Sequence, residues 1–243
     1  MKKSILVMLA LLSMLFVSAC SSSNSNKLVM ATNAAFPPYE MVEGTEIVGI
    51  DAEIAKLIAD DLGKELVIED MAFDSIIAAV QTGKADIAMA GLTITEDRKQ
   101  NIDFSDPYTE AAQVIVVKND SPVKSPADLI GKTIGVQIGT TGDIYAADIE
   151  DASIERYSKY FEAINALSQD KIDAVIVDRE PAKVFVTDNE ELRLIDEEFT
   201  VEQYAIGVSK ENTELLNQIN ASLKKLQDSG KIDEIIDKYI SAD

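Results

Sequence analysis

One nine-residue pattern occurs twice in this chain, 87 residues apart. Ala79-Val80-Gln81-Thr82-Gly83-Lys84-Ala85-Asp86-Ile87 matches Ala166-Leu167-Ser168-Gln169-Asp170-Lys171-Ile172-Asp173-Ala174, with Ala79/Ala166, Lys84/Lys171 and Asp86/Asp173 identical. Each copy reads as the end of a helix, a tight turn and the start of a strand. A match this short can arise by coincidence; if it reflects the fold, the chain holds two lobes of similar build. The same offset pairs Gly91 with Asp178, each just past the carboxyl end of its strand. Open α/β sheets bind ligands at that edge, and two such edges point to a cleft between lobes.

The rest of the chain alternates strand and helix patterns. Apolar runs at 28–31, 46–48, 65–68, 86–89, 113–117, 133–137, 154–157, 174–177 and 204–208 predict strands. Residues 51–62 predict a helix, because Ile54, Leu57, Ile58 and Leu62 share one face and Gly63 can end it. Helices are also expected at 74–82, 213–229 and 231–240, with Gly230 between the last two. Ser125-Pro126 has the cap and proline of a helix start, and Pro181 opens another. Alternation of this kind predicts α/β sheets with covered faces.

Composition narrows the chemistry. The 243 residues include no His and one Cys, so Ser-His-Asp triads, Cys-His dyads, His metal ligands and intrachain disulfides are all excluded. Lys and Arg number 22 against 43 Asp and Glu, a net charge of −21. That balance argues against a nucleic-acid partner, whose phosphates need basic residues. No metal and no cofactor are expected.

The lone Cys has its own context. Two lysines, an apolar run at 5–17 and Val17-Ser18-Ala19-Cys20 have the layout of a signal peptide over 1–19. The run is too short to span a bilayer comfortably, which takes about 20 residues. The end resembles a bacterial lipobox, whose Cys becomes the lipid-carrying N-terminus; ordinary cleavage beside an incidental Cys is the alternative. Residues 20–27 then form a polar tether, rich in Ser and Asn. The expectation is a lipoprotein held by a palmitate-type anchor at Cys20, at the cell membrane on its extracytoplasmic face.

Several residues could line the cleft. Phe36 precedes two prolines that stiffen its loop, and Phe73 precedes a helix. Each could be ordinary packing or a flat apolar wall for a ligand. Arg98 follows Gly91-Leu92-Thr93-Ile94-Thr95-Glu96-Asp97. It could pair with Glu96 and Asp97 on the surface, or hold a carboxylate with its planar fork. Thr140-Thr141-Gly142 begins a helix after a strand, where backbone N–H groups attract anions. Asp178 could cap the following helix or receive an ammonium group. Together these groups match the poles and stem of an L-α-amino acid.

The lipobox, Phe36-Pro37-Pro38-Tyr39-Glu40, Gly49-Ile50-Asp51-Ala52-Glu53-Ile54-Ala55, Ala90-Gly91-Leu92-Thr93-Ile94-Thr95-Glu96-Asp97-Arg98 and Ile102-Asp103-Phe104-Ser105-Asp106-Pro107-Tyr108 resemble the family 3 solute-binding proteins of bacterial amino-acid ABC importers. The resemblance implies a type II periplasmic-binding-protein-like α/β fold of two lobes, with the ligand cleft between them and a two-strand hinge. It implies lobe 1 at 28–107 and 205–243, lobe 2 at 113–199, and hinge strands at 108–112 and 200–204. It implies that Arg98 clamps the α-carboxylate, that Thr141 assists from the other lobe, and that Asp178 takes the α-ammonium. Thr93 and the Gly91 backbone, next to Ala90, would fix the amino-acid head, with Phe36 and Phe73 sandwiching the side chain. Asp51 and Glu53 receive no ligand role, since their segment has the periodicity of a packing helix.

The implied activity is capture of a polar L-α-amino acid by hinge closure and delivery to an ABC permease, by a monomer that is not an enzyme. Members that hold basic side chains often carry an acid where this chain has Asn33. Gln137 and Val177, also expected to face the ligand side chain, are uncharged. This favours a neutral ligand such as glutamine, while Glu40, if it turns inward, keeps arginine, histidine and cystine open. Two rivals share the fold: a sensory module reporting to a receptor, and a dehydratase needing a cleft acid.

Overall fold

Asp86 and Asp173, the matched acids of the repeat, make the same bonds in the folded chain. Asp86 Oδ2 accepts the Val29 N–H at 2.8 Å, and Asp173 Oδ2 accepts the Thr133 N–H at 2.8 Å. Their own N–H groups donate back to the Val29 and Thr133 carbonyls, each at 2.8 Å. Gly83 and Asp170 both turn the chain with positive φ, at 69° and 56°. The two copies are therefore one supersecondary unit used twice, and coincidence is set aside. The computed structural model describes residues 26–240; the segment expected to be a signal peptide, Cys20 and residues 241–243 lie outside them.

The first sheet has the order β5-β1-β6-β13-β7, formed by β1 (Lys27–Thr32), β5 (Glu65–Asp70), β6 (Ile87–Ala88), β7 (Asp103–Phe104) and β13 (Gly207–Val208). The second has the order β10-β9-β11-β8-β12, formed by β8 (Thr109–Lys118), β9 (Thr133–Gln137), β10 (Ser153–Tyr157), β11 (Ala174–Asp178) and β12 (Leu192–Tyr204). In each sheet a parallel trio meets an antiparallel neighbour on one side. A third, small sheet joins β2 (Ala35–Phe36), β3 (Glu40–Glu43) and β4 (Glu46–Val48).

Helices cover the sheets as the apolar spacing demands. Helix α1 (Ile50–Asp61) buries Ile50, Ile54 and Ile58, and Gly63 turns the chain out of it with φ 66°. Each such side chain contributes about 1.5–3 kcal/mol when fully buried. Helices α7 (Thr213–Asp228) and α8 (Lys231–Tyr239) lie with α1 in one core cluster. The opposite face of the first sheet is covered by α2 (Ile76–Gln81), whose Ile76, Ala79 and Val80 are buried.

Several boundaries differ from the sequence expectation. The helix expected at 74–82 begins as a 3-10 turn at Phe73–Ser75. The strand expected at 204–208 is split, because β12 ends at Tyr204 and the chain passes into the first sheet before β13. The segments at 108–112 and 200–204 fall on the paired ends of β8 and β12, where Thr200–Tyr204 runs antiparallel to Thr109–Gln113. The two segments expected as the hinge thus form a two-stranded ribbon continuous with the second sheet, with an irregularity in the ladder between Ile195 and Thr200. β3, the first half of β12 and the two-residue strands β2 and β7 escaped notice; β2 and β7 are too short to carry a readable alternation.

Candidate functional site

The carboxyl ends of the two equivalent parallel trios point at one cavity. Asn33, Phe36, Phe73, Ala90, Gly91, Thr93, Arg98, Gln137, Thr141 and Asp178 all line it, so the structure brings these ten residues expected from the sequence together. Glu40, Thr140 and Tyr160 complete the lining. Val177 does not: it is fully buried in the core, because the alternation of β11 turns it away while Asp178 reaches the cavity.

Arg98 sits in the short helix α3 (Glu96–Lys99), which Thr95 caps by accepting the Arg98 N–H at 3.2 Å. Its guanidinium turns inward and is 7% exposed. It donates to the Thr93 carbonyl at 2.7 Å and across the cleft to the Gly139 carbonyl at 3.1 Å, and lies 5.4 Å from the Phe73 ring centre. Glu96 pairs with Lys99 instead, so the surface pairing considered for Arg98 is not made. Two fixed carbonyls aim the guanidinium while leaving donors of its five N–H groups for a ligand. Burial lowers its pKa, an effect opposed by the charges of Glu202 and Asp178.

Asp178 ends β11 just ahead of α6 (Arg179–Asp188) yet makes no side-chain cap bond. The capping alternative is not taken; the Tyr204 hydroxyl donates to its Oδ1 instead. Its pKa is pushed up to about 7, first by burial and then by the charge of Glu202, while hydrogen bonds from Tyr204 and Gln113 oppose the rise. An acid held this way gains most when a cation arrives.

The remaining walls are apolar or amide. Phe36 stacks between Tyr39 and Tyr160, with ring centres 5.8 and 5.7 Å away. Across the cleft the Gln137 amide donates to Asn33 Oδ1 at 2.9 Å, and Asn33 donates to the Met71 carbonyl at 2.7 Å. Thr140 opens helix α4 (Thr141–Ala147), its hydroxyl oxygen accepting the Asp143 N–H at 3.3 Å.

Three acids matter that the sequence reading undervalued. Glu40 does turn inward: it is wholly buried, neither oxygen meets a described hydrogen-bond donor, and burial beside Asp51 raises its pKa well above the usual range. Asp51, in the first turn of α1, accepts the Gly91 N–H at 2.9 Å and the Tyr108 hydroxyl at 2.8 Å. It holds the binding loop from behind, and burial pushes its pKa up to about 6. Glu202 accepts the Thr93 hydroxyl at 2.7 Å and the Thr141 hydroxyl at 3.0 Å. Beside it, Tyr145 is pushed up to about 12 by burial and then by the Glu202 charge. The signal for Glu202 was period two: Val201 is exposed, while Glu202 and Tyr204 are buried.

Comparison with known proteins agrees with this geometry. The profile of the bacterial extracellular solute-binding proteins, family 3, matches residues 28–242. The chain is 32% identical to the arginine-binding extracellular protein ArtP of Bacillus subtilis, over 100% of both chains. It is 36% identical to the ABC transporter glutamine-binding protein GlnH of the same species, covering 82% of this chain and 74% of that one. Among solved structures, a mutant of ArgBP from T. maritima superposes with a TM-score of 0.87 at 43% identity, covering 90% of this chain and 97% of that one. The two sheets, their hinge ribbon and the cavity between them are the type II architecture of these proteins, and the chain belongs to the bacterial extracellular solute-binding proteins, family 3.

Proposed function

We propose that this protein captures a polar L-α-amino acid outside the cell and delivers it to an ABC permease, acting as a binding protein and not as an enzyme. The observation that carries this reading is the pair of opposite poles in one cavity. Arg98 offers donors for an α-carboxylate and Asp178 an acceptor for an α-ammonium, with Phe36 and Phe73 as apolar walls of the same cavity. Lobes at 28–107 with 205–243 and at 113–199 would close about the 108–112 and 200–204 ribbon, each contributing one pole. Asp178 is accounted for by ammonium binding and Asp51 by loop support, so Glu40, whose pKa burial raises, is the one lining acid left to a dehydratase.

Charge balance favours a cationic side chain. Arg98 is the one cation among the described lining residues, against Glu40 and Asp178. A zwitterion satisfies Arg98 and Asp178 and leaves Glu40 a neutral acid, since burial raises its pKa; the side chain of arginine would draw Glu40 into its ionised form and pair with it. The Asn33–Gln137 amide pair supports glutamine as the second reading, and with it the neutral preference drawn from the sequence. A melting screen of protein refolded from denaturant, against all common amino acids and cystine, tests both. Ligand at 100 times its dissociation constant adds about 2.7 kcal/mol. Stabilisation by arginine above glutamine is expected; no shift with any amino acid overturns the function.

The membrane link is proposed on Val17-Ser18-Ala19-Cys20. Cleavage before Cys20 and lipidation of its thiol would leave the folded part tethered outside the membrane. Among the described residues no helix is long and apolar enough to cross a membrane. Cys20→Ala should release the protein from the membrane fraction with ligand affinity unchanged; full retention of that variant would remove the anchor.

A further inference from the structure

Glu40 and Asp51 are two buried acids held side by side. The backbone sets their approach: the Asp51 N–H donates to the Tyr39 carbonyl at 2.9 Å, and the Ile50 N–H to the Pro38 carbonyl at 3.1 Å. A Cβ on Gly49, whose φ is 127°, would collide with the Tyr39 carbonyl, so glycine is required for the chain to come this close. Both acids are fully buried. Asp51 already accepts the Gly91 N–H and the Tyr108 hydroxyl. Glu40 lines the ligand cavity, and neither of its oxygens meets a described donor. Two carboxyl groups in such a place do not both ionise; they hold a proton between them. It sits on Glu40, which donates to Asp51, because burial and then the Asp51 charge raise the Glu40 pKa well above its usual value.

Resting on the amino-acid reading above, we propose that the Glu40–Asp51 pair is a proton gate that sets the ligand selectivity of the cleft according to external pH. With a neutral ligand side chain Glu40 keeps its proton and its bond to Asp51. With a guanidinium side chain the Glu40 O–H bond breaks, the proton leaves to solvent, and the carboxylate pairs with the guanidinium. Arginine binding therefore releases one proton that glutamine binding does not, and acid shifts the protein from arginine towards glutamine. The groups facing Glu40 leave it as the group that responds differently to the two ligands. Asp51 on α1, Asp178 at the end of β11 and Asp70 on β5 all oppose its ionisation. Tyr39 and Tyr108 are both raised well above 10, first by burial, and stay neutral. Asp178 titrates too, but both ligands ionise it through the same α-ammonium.

The test is calorimetry on the full-length protein with L-arginine and L-glutamine, each in two buffers of different ionisation enthalpy, which counts the protons released. At pH ~6 arginine should release about one proton more than glutamine. From pH ~5 to ~7 the ratio of arginine to glutamine affinity should climb by up to about tenfold per unit, and the ratio cancels the shared titration of Asp178. Glu40→Gln has no proton to lose, so it should erase the excess and flatten the ratio. Asp51→Asn removes the neighbouring charge, so Glu40 ionises more readily and the excess should shrink; loss of loop support alone would weaken both ligands alike and leave the excess as it was. If Glu40→Gln does not melt cooperatively, the native buffer series decides by itself. Equal proton release by the two ligands, a ratio that is flat with pH, or binding of glutamine without arginine at every pH overturns the gate while the function stands. Absence of amino-acid binding by the native chain overturns the function, and the gate with it.

Discussion

Asn33 and Gln137 occupy equivalent positions in the two halves of the molecule and hydrogen-bond to each other across the cleft at 2.9 Å. Each lies four residues beyond the position whose N–H is held by the repeat Asp, Val29 in one half and Thr133 in the other. The pseudo-symmetry of the fold thus brings two amides face to face across the cavity.

Asn33→Asp should convert this amide contact into a charged one. A hydrogen bond to a charged group contributes about 1.5–3 kcal/mol, so arginine should gain at least tenfold over glutamine. Calorimetry with both ligands reads the ratio; an unchanged ratio would show that Asn33 does not face the ligand side chain.

Asp51 and Gly91 form the support of the binding loop. Asp51→Asn replaces one acceptor oxygen with a donor, so either the Gly91 N–H or the Tyr108 hydroxyl proton loses its acceptor. The expected cost is about 1–3 kcal/mol, read by denaturant unfolding, with weaker binding as Gly91 shifts. Gly91→Ala should impair binding by a different route. Its φ is 53°, and an added Cβ would lie 2.7 Å from the Phe36 ring. The ring must move, so affinity should drop more than stability. Native affinity in Gly91→Ala would mean that Phe36 is not a wall of the site.

Arg98→Ala should cost roughly 3–5 kcal/mol of binding, about two to four decades in affinity, by leaving a carboxylate buried and unpaired. Arg98→Lys should recover only part, because an ammonium lacks the bidentate fork. Calorimetry on cooperatively melting variants is the measurement. Binding by Arg98→Ala within about threefold of native would remove Arg98 from the site.

Asp178 predicts opposite pH trends for stability and for binding. Its pKa in the empty protein is about 7 against an ordinary 3.8. Between those values the folded state holds more protons than the unfolded one. Its contribution to stability is therefore fully present below the ordinary value and lost as pH rises through about 7. Asp178→Asn should raise the melting temperature at pH ~8 relative to native, and much less near pH ~4. Ligand binding needs the ionised acid, so native affinity should climb from pH ~5 to ~7, by up to tenfold per unit, and level off above. A flat native profile, or equal melting shifts at both pH values, would contradict the charge state assigned to Asp178.

Local chemistry made the repeat readable. Ala79, Lys84 and Asp86 recur at Ala166, Lys171 and Asp173 because each helix-turn-strand unit needs the same turn and the same strand-capping acid, whatever lies elsewhere. The helix of Ile54 and Ile58 followed from periodicity and the opposition of Arg98 to Asp178 from position at a strand end, while the full set of ten lining residues came from the resemblance to a known family. Tertiary structure alone decided what those groups do to one another. Whether Glu40 points in or out depends on the small sheet that carries it. That Asp51 reaches Gly91, 40 residues on, depends on how α1 lies against the first sheet. Glu202 lies 109 residues from Thr93 and 61 from Thr141, and its charge reaches the cavity only because the hinge ribbon passes between the two halves. A residue type and its spacing specify which bonds a side chain can make; burial, and the choice of neighbours that burial imposes, specify which ones it does make, and those arise only when distant segments meet.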